Sequence, residues 1–260
     1  MVQMVPDILA RIVASKQAAL PGARARQDAL ERRAAERTEF RDFRAALTAH
    51  QPAIIAEIKK GSPSKGTFTD RFDPAGLARQ YASGGAAALS VLTDAEFFQG
   101  ALTDLETARA ASPLPVLRKD FTVDEFHVVE AAAHGADAIL LIAAILDGSE
   151  MRRLRELAAR YCMAALVEVH DEFELESALA SGAEIVGVNN RNLHTFEVAL
   201  ETSLRLAERI PSGVVKVSES GIHSREDVQR LQAAGFHAFL VGERLMKSAD
   251  RAATLREMQS

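Results

Sequence analysis

Short apolar runs alternate with amphipathic stretches from residue 53 to the carboxyl terminus. Each run has the length and the bounding polar residues of a buried strand, and each interval has the spacing of a helix with one apolar face. Repeated alternation of this kind is typical of a parallel sheet covered by helices. The predicted strands are 53–59, 86–92, 115–119, 137–142, 163–169, 184–189, 214–219 and 238–242.

Eight strand–helix repeats without a Rossmann glycine fingerprint after the first strand favour closure into a barrel over an open sheet. Several predicted helices end in an alanine-rich turn followed by glycine, which is a common stop signal. No composition change divides the repeats. We therefore predict the α/β class, with a single (β/α)8 TIM barrel over 53–257 inside one domain that covers 1–260 and carries an N-terminal helical extension over 1–50.

The extension is predicted to be helical over 7–48, with Asp7 as a possible cap. Within it, the densely charged stretch 31–44 is of mixed sign and is interpreted as a solvated helix face or an exposed connection. An apolar stripe at helical spacing contains Ile8, Leu9, Ile12 and Val13.

Composition narrows the function classes. The net charge is −5, which argues against a basic nucleic-acid surface. Cys162 is the single cysteine, so no intrachain disulfide can form and a reducing compartment is expected. The chain starts without a signal-peptide pattern and has no window near the roughly 18 apolar residues of a membrane span. We expect a cytoplasmic protein without nucleic-acid or membrane partners.

Active sites of such barrels lie at the carboxyl ends of the strands, and several predicted strands end in polar residues. Glu57 and Lys59 are two positions apart and share one face of the first strand. Unpaired burial would cost several kcal/mol for each charge, so the charges must pair or serve a ligand. The predicted rim consists of Glu57, Lys59, Lys119, Glu168, Asn189, Glu219, Ser220, Gly221 and Gly242.

The last two strands are each followed by glycine and the start of a helix, in SESGIHSRED and VGERLM. Ser224 can cap the first of these helices with Asp227. Free N–H groups at helix starts attract phosphate, and barrels often bind phosphate after strands seven and eight. We predict a phosphorylated substrate and general acid–base chemistry. No metal site is expected, because the histidines are scattered and His170 with Glu174 is a weak pair.

The order of motifs resembles the indole-3-glycerol phosphate synthase family over nearly the whole chain. The motifs are ILARIVASK, IAEIKKGSPSKG, ALSVLTDAEFFQG, PVLRKDF, DAILLI, VEVHDEFEL, VGVNNRNL, SESGI and VGERLMK. The resemblance implies conversion of 1-(2-carboxyphenylamino)-1-deoxyribulose 5-phosphate to indole-3-glycerol phosphate, CO2 and water without a cofactor.

The resemblance also implies roles for the rim. Lys119 would be the general acid that protonates the ketose carbonyl, and Glu168 would handle a proton during dehydration. Glu57 and Lys59 would form a first catalytic pair, with Asn189 positioning the substrate or Glu57. Glu219 and Ser220 would line the pocket. We expect burial and the proximity of the two lysines to lower their pKa values, with Glu57 acting in the opposite direction.

Further contacts follow from the same resemblance. Arg191 would reach the substrate carboxylate or the loop after the first strand, and the N-terminal helix would cover the top of the barrel. The apolar walls around the anthranilate ring, or else plain core or lid packing, would come from Phe98, Phe121 and Leu140. The phosphate would lie among Ser62, Gly221, Gly242 and Glu243, with the carboxylate of Glu243 turned away.

Rival functions fit less well. Phosphoribosylanthranilate isomerase has a cysteine and an aspartate where Lys59 and Asn189 stand, and the tryptophan synthase α subunit lacks the Glu–x–Lys strand end. A barrel that binds phosphate without catalysis would be expected to lose the pairing of Lys119 with Glu168. Cys162 precedes a strand, at the opposite end of the barrel, and is not expected to be a nucleophile. A monomer or a weak homodimer is expected.

Overall fold

The computed structural model describes residues 7–62, 66–69, 71–193 and 195–260. The side chain of Asp7, predicted as a cap, lies outside the described part. The strands are β1 Ala53–Ile58, β2 Gly61–Ser62, β3 Gly66–Thr67, β4 Ala88–Leu92, β5 Val116–Lys119, β6 Ala138–Ile142, β7 Ala164–Val169, β8 Ile185–Asn189, β9 Val215–Glu219 and β10 Ala238–Val241.

The helices surround these strands. They are α1 Asp7–Ala23, α2 Gln27–Ala35, α3 Phe43–Ala49, α4 Pro74–Ser83, α5 Ala95–Phe98, α6 Leu102–Ala110, α7 Glu125–Ala133, α8 Gly148–Arg160, α9 Glu172–Ala180, α10 Glu201–Ala207, α11 Arg225–Ala233, α12 Glu243–Met246 and α13 Arg251–Gln259, and a 3-10 turn, Arg24–Arg26, joins α1 to α2.

Eight of the strands form a closed parallel barrel in the order β1, β4, β5, β6, β7, β8, β9, β10 and back to β1. β1 closes the ring by pairing with both neighbours, through Ala53 with Ala238 and Ile55 with Ala88. The predicted (β/α)8 barrel is confirmed, and each predicted strand matches an observed one to within two residues. β2 and β3 form a separate two-stranded antiparallel sheet.

Alternation along the strands divides the core into two layers. Interior positions such as Ile55, Leu117 and Leu166 pack together on the barrel axis, where Phe43 and Leu47 of α3 also pack. The alternate positions face the surrounding helices. Since side chains on a strand alternate between faces, the polar residues two positions beyond an interior residue also face inward. This places the charged strand ends at the mouth of the barrel.

The predicted helix over 7–48 is wrong between α2 and α3, where residues 36–42 are not helical. Arg37 leaves the helical path to pair with Asp137 and with the carbonyl of Ala136. Arg41 donates to the carbonyls of Ser112 and Leu114 at 2.7 and 2.8 Å. The interpretation of 31–44 as a solvated face or exposed connection is therefore wrong for these arginines, which are tied to backbone and carboxylate partners in the barrel.

The predicted glycine stops are confirmed by left-handed backbone angles. Gly85, Gly135, Gly182 and Gly235 each follow a helix with φ between 85° and 87°. After α8 the corresponding residue is Cys162, with φ of 57°. A side chain in this region clashes with its own backbone, so this helix ends with a strained residue.

Replacing the strained residue should stabilise the fold. Cys162→Gly is expected to raise the free energy of unfolding by about 0.5–1 kcal/mol, because the relief of left-handed strain exceeds the added freedom of the unfolded glycine. Urea denaturation measures the change. Cys162→Ala is the matched control, since it removes the thiol and keeps Cβ. Equal stabilisation by alanine would show that strain at this residue is not the cause.

Candidate active site

The carboxyl ends of the strands open into a cavity of about 510 Å³. The apolar face of α1 covers part of it through Ile8, Leu9 and Ile12, as predicted for the N-terminal helix. All the predicted site residues line this one cavity: Glu57, Lys59, Ser62, Phe98, Lys119, Phe121, Leu140, Glu168, Asn189, Arg191, Glu219, Ser220, Gly221, Gly242 and Glu243.

Lys119 lies at the centre of the polar floor. Its Nζ is 2.8 Å from Oε2 of Glu168 and 3.4 Å from Oε2 of Glu219. Asn189 donates from Nδ2 to the other oxygen of Glu168 at 3.1 Å. The carboxylates of Glu168 and Glu219 are almost fully buried. Their burial would cost several kcal/mol without a positively charged partner, and Lys119 provides that partner. The charges on different strand ends therefore pair with one another, as predicted from the cost of burial.

The expected lowering of the pKa of Lys119 is wrong. Burial disfavours the ammonium, but the charges of Glu168, Glu219 and Glu57 outweigh it and raise the pKa. Burial acts against the Glu168 carboxylate as well, yet Lys119, His170 and Asn189 lower its pKa. Glu219 differs, because burial and the charge of Glu168 raise its pKa to about 7. The resting site thus holds a charged Lys119–Glu168 pair beside a carboxyl group, that of Glu219, whose proton is held more tightly than usual.

Two glycines make room for the carboxylates. A methyl group at Gly187 of β8 would overlap Oε1 of Glu219, and one at Gly242 would overlap Oε1 of Glu57. The second carboxylate is paired with Lys59, whose Nζ is 2.7 Å from the same Oε1. Gly242, predicted beside the phosphate, therefore also provides the space in which this pair forms.

A methyl group at Gly242 should damage the site more than the fold. Gly242→Ala is expected to lower kcat about 10²-fold, because displacing Glu57 by about 1 Å misplaces a charged group in the cavity. The measurement is turnover of the phosphorylated substrate, by the assay described under the proposed function, with circular dichroism to check folding. Gly213→Ala is the matched control, because nothing lies within 4 Å of the added methyl group. Unchanged turnover in Gly242→Ala would show that Glu57 does not need its present position.

Aromatic rings form one wall. The centroids of Phe98 and Phe121 are 6.2 Å apart with an interplanar angle of 36°, and both rings are half-buried. Leu140 is buried in β6 and lies in the cavity floor. Half-buried rings with a shared opening suit a flat aromatic ligand, whereas plain core packing would bury both rings.

The turn after β9, where part of the phosphate site is predicted, has a left-handed backbone at two successive residues. Ser220 and Gly221 have φ of 66° and 77°, and a methyl group at Gly221 would overlap Val198. The predicted cap of α11 is confirmed, since Ser224 accepts from the N–H of Asp227 and the Asp227 carboxylate accepts from the N–H of Ser224.

Two further contacts bear on the predicted phosphate and carboxylate groups. Oε1 of Glu243 is 2.7 Å from Nζ of Lys247, a largely exposed side chain, which fits the expectation that this carboxylate turns away from a phosphate. Arg191 donates its N–H to Oδ1 of Asn189 at 3.0 Å. Its guanidinium contacts the carbonyl of Phe196 at 3.3 Å, within its own loop.

Sequence reasoning missed an ionic anchor between α1 and the rim. Nζ of Lys16 is 2.9 Å from Asp94 and 2.6 Å from Asp120, and both carboxylates are buried. Burial opposes the charge of Asp120, but Arg118 and Lys16 lower its pKa to about 2. The one signal in the sequence was that Asp120 directly follows Lys119. A carboxylate beside a predicted catalytic residue at a strand end is well placed to bind the helix that covers the cavity.

In the part of the chain that the structure describes, no group of three or more His, Cys, Asp or Glu side chains is arranged to hold a metal ion. No helix among the described residues is long and apolar enough to cross a membrane.

Comparisons with known proteins agree with the geometry. A family model of indole-3-glycerol phosphate synthase matches residues 9–258. Proteins named indole-3-glycerol phosphate synthase are 52% identical in Albidiferax ferrireducens, over 97% of this chain and 98% of theirs, and 53% identical in Chromobacterium violaceum, over 94% of both chains. The crystal structure of a 3-hexulose-6-phosphate synthase shares the fold, with a TM-score of 0.62 at 17% identity over 80% of this chain and 98% of that one.

Proposed function

The chain belongs to the indole-3-glycerol phosphate synthase family, and we propose that Lys119 and Glu168 are the acid and the base of its ring closure. The observation that carries the proposal is the buried Lys119 ammonium between two carboxylates on the cavity floor. The substrate is 1-(2-carboxyphenylamino)-1-deoxyribulose 5-phosphate, and the products are indole-3-glycerol phosphate, CO2 and water.

The first step needs a proton donor. The aromatic carbon that bears the carboxylate attacks the ketose carbonyl, and a negative charge develops on the carbonyl oxygen. Lys119 gives that oxygen a proton, which a positioned acid does with a gain of about 10²–10⁴ in rate. Because its pKa is raised, Lys119 is charged across the neutral range and is ready as a donor before substrate binds. Loss of CO2 then restores the aromatic ring.

The second half of the reaction needs a proton acceptor. The hydroxyl formed in the first half takes a proton from the Lys59 ammonium and leaves as water, and a proton leaves the carbon next to the ring nitrogen. Solvent reprotonates Lys59, which accounts for the one proton that the overall reaction consumes. Glu168 suits this acceptor role because its pKa is held low and its oxygens are oriented by Lys119 and Asn189. Proton transfer between Lys119 and Glu168 at 2.8 Å returns both groups to their resting charges.

The remaining residues bind the substrate. Phe98, Phe121 and Leu140 hold the anthranilate ring. Lys59, paired with Glu57 as the second catalytic pair of the proposal, also adds a positive charge near the substrate anions, and Arg191 is placed to reach the substrate carboxylate. The phosphate is bound by the turns after β9 and β10 with the hydroxyls of Ser62 and Ser220, and Glu219 and Asn189 complete the polar lining.

Indole fluorescence tests the proposal directly. The chain has no Trp and two Tyr, so a new indole signal stands out against the protein. We expect the signal to rise when the carboxyphenylamino-deoxyribulose phosphate is added without metal or cofactor, and to be unaffected by a chelator. Folded protein that binds this substrate without producing indole would overturn the proposal and support a phosphate-binding barrel without catalysis.

The predicted cellular location and the predicted oligomeric state do not depend on the proposed reaction. A cytoplasmic location and a monomeric or weakly dimeric state stay predictions from the sequence. Sedimentation velocity across a range of protein concentrations measures the oligomeric state.

A further inference from the structure

His170 lies directly behind the proposed base. It follows β7 by one residue, its imidazole is 15% exposed, and it is absent from the residues that line the cavity. Its Nε2 is 3.5 Å from Oε1 of Glu168, and this buried nitrogen has no hydrogen bond. An imidazole so close to the proposed base, without reaching the substrate, points to a role exerted through Glu168.

Glu174 fixes the imidazole from the other side. Oε2 of Glu174 accepts the backbone N–H of His170 at 2.7 Å and lies 2.9 Å from its Nδ1. An ionised carboxylate only accepts hydrogen bonds, so Nδ1 must carry a proton. Glu174 is itself buried and is held at the start of α9, where its N–H donates to Asp171. The ring therefore has one orientation, with Nε2 directed at Glu168.

Whether Nε2 carries a proton determines whether His170 repels or attracts the carboxylate of Glu168. A neutral ring would present a lone pair to a carboxylate oxygen, which is repulsive, whereas an imidazolium would present a donor. The other charged groups that face this region are Glu219 of β9 and, across Glu168, Lys119 of β5. Burial acts against the imidazolium, but Glu174, Glu168 and Glu219 outweigh it and raise the pKa of His170.

We propose that His170, held by Glu174, is a positioning residue that orients Glu168 and adds to the stabilisation of its ionised form for its role as the base. The proposal rests on the proposed function, because it acts through Glu168. Glu174 does not line the cavity, and in this proposal its function is to fix the orientation of the His170 ring. Loss of the imidazolium should raise the pKa of Glu168 by about one unit, the lower end of the effect of an opposite charge at this distance.

The pH profile of kcat/KM separates this role from a merely structural one. In the parent, kcat/KM should fall as pH rises through the raised pKa of His170, because the imidazolium beside Glu168 is then lost. In Glu174→Gln this basic limb should move down by about one pH unit, and in His170→Gln it should be absent, with KM within about threefold of the parent. His134→Gln is the matched control, since His134 pairs with Glu106 at 2.8 Å away from the cavity. A loss of kcat that is equal at every pH, with the limb unmoved, would overturn the proposal.

A second measurement does not depend on turnover. The imidazole signal of His170 is assigned in NMR spectra by its loss in His170→Gln and is then titrated in the parent and in Glu168→Gln. We expect the pKa of His170 to fall by about one unit when Glu168 loses its charge. An unchanged titration would overturn the proposal even if the parent made no indole, and a parent without turnover but with the expected coupling would count against the proposed function alone.

Discussion

Lys119→Met is expected to lower kcat about 10³-fold while the substrate still binds. Methionine keeps the length of the side chain and removes the proton donor, so the carbonyl oxygen develops its charge without an acid. KM should change little, because the lost contact acts in the transition state rather than in the bound ground state. Steady-state indole fluorescence gives both constants.

The control for this variant is Lys216→Met, which removes the same kind of charge from a residue that does not line the cavity and whose Nζ is 2.6 Å from the carbonyl oxygen of Ala207. It should turn over like the parent. The buried carboxylates of Glu168 and Glu219 lose their partner in Lys119→Met, so circular dichroism must show that the variant is folded. Turnover within a few-fold of the parent in folded Lys119→Met would refute the assignment of the acid.

Asp137→Asn is expected to lower the free energy of unfolding by about 3 kcal/mol. The carboxylate of Asp137 is fully buried and pairs with both Arg37 and Arg109. It also accepts the N–H groups of Arg41 at 3.2 Å and Val116 at 3.0 Å. Neutralising it leaves two guanidinium groups without their shared counter-charge and weakens the attachment of the connection between α2 and α3 to the barrel.

Urea denaturation measures this loss, with an unchanged slope as evidence that both variants unfold alike. Glu184→Gln is the matched control. Its partner Arg44 is 3.6 Å away and both side chains are about half exposed, so the change should stay within about 0.5 kcal/mol. A loss of that small size in Asp137→Asn would mean that the buried cluster contributes no net stability.

The barrel and its site were predictable because one periodicity determines both. The alternation that buries Ile55 also turns Glu57 inward two residues later, and the same relation links Leu117 to Lys119. Reading the last inward position of each strand therefore finds the rim without any three-dimensional information. The resemblance then added a substrate and roles that the pattern alone does not contain.

Long-range electrostatics was not predictable in the same way. The sequence places Lys59 and Lys119 at the same end of the barrel, on the first and third predicted strands, and suggests mutual repulsion, but it does not show that two carboxylates approach Lys119 more closely. The break after α2 depends on Arg37 meeting Asp137, a partner 100 positions away. Local propensity favours a continuous helix there, and the distant ion pair overrides it.

The close contact of two glycines with buried carboxylates restricts which substitutions each pair of positions can accept during evolution. Gly187 vacates the volume that Glu219 fills, and Gly242 does the same for Glu57. A substitution that adds a methyl group at either glycine is tolerated only if the facing acid becomes shorter or shifts. We therefore expect positions 187 and 219, and positions 242 and 57, to covary in an alignment of homologues, with drift at one member of each pair constrained by the size of the other.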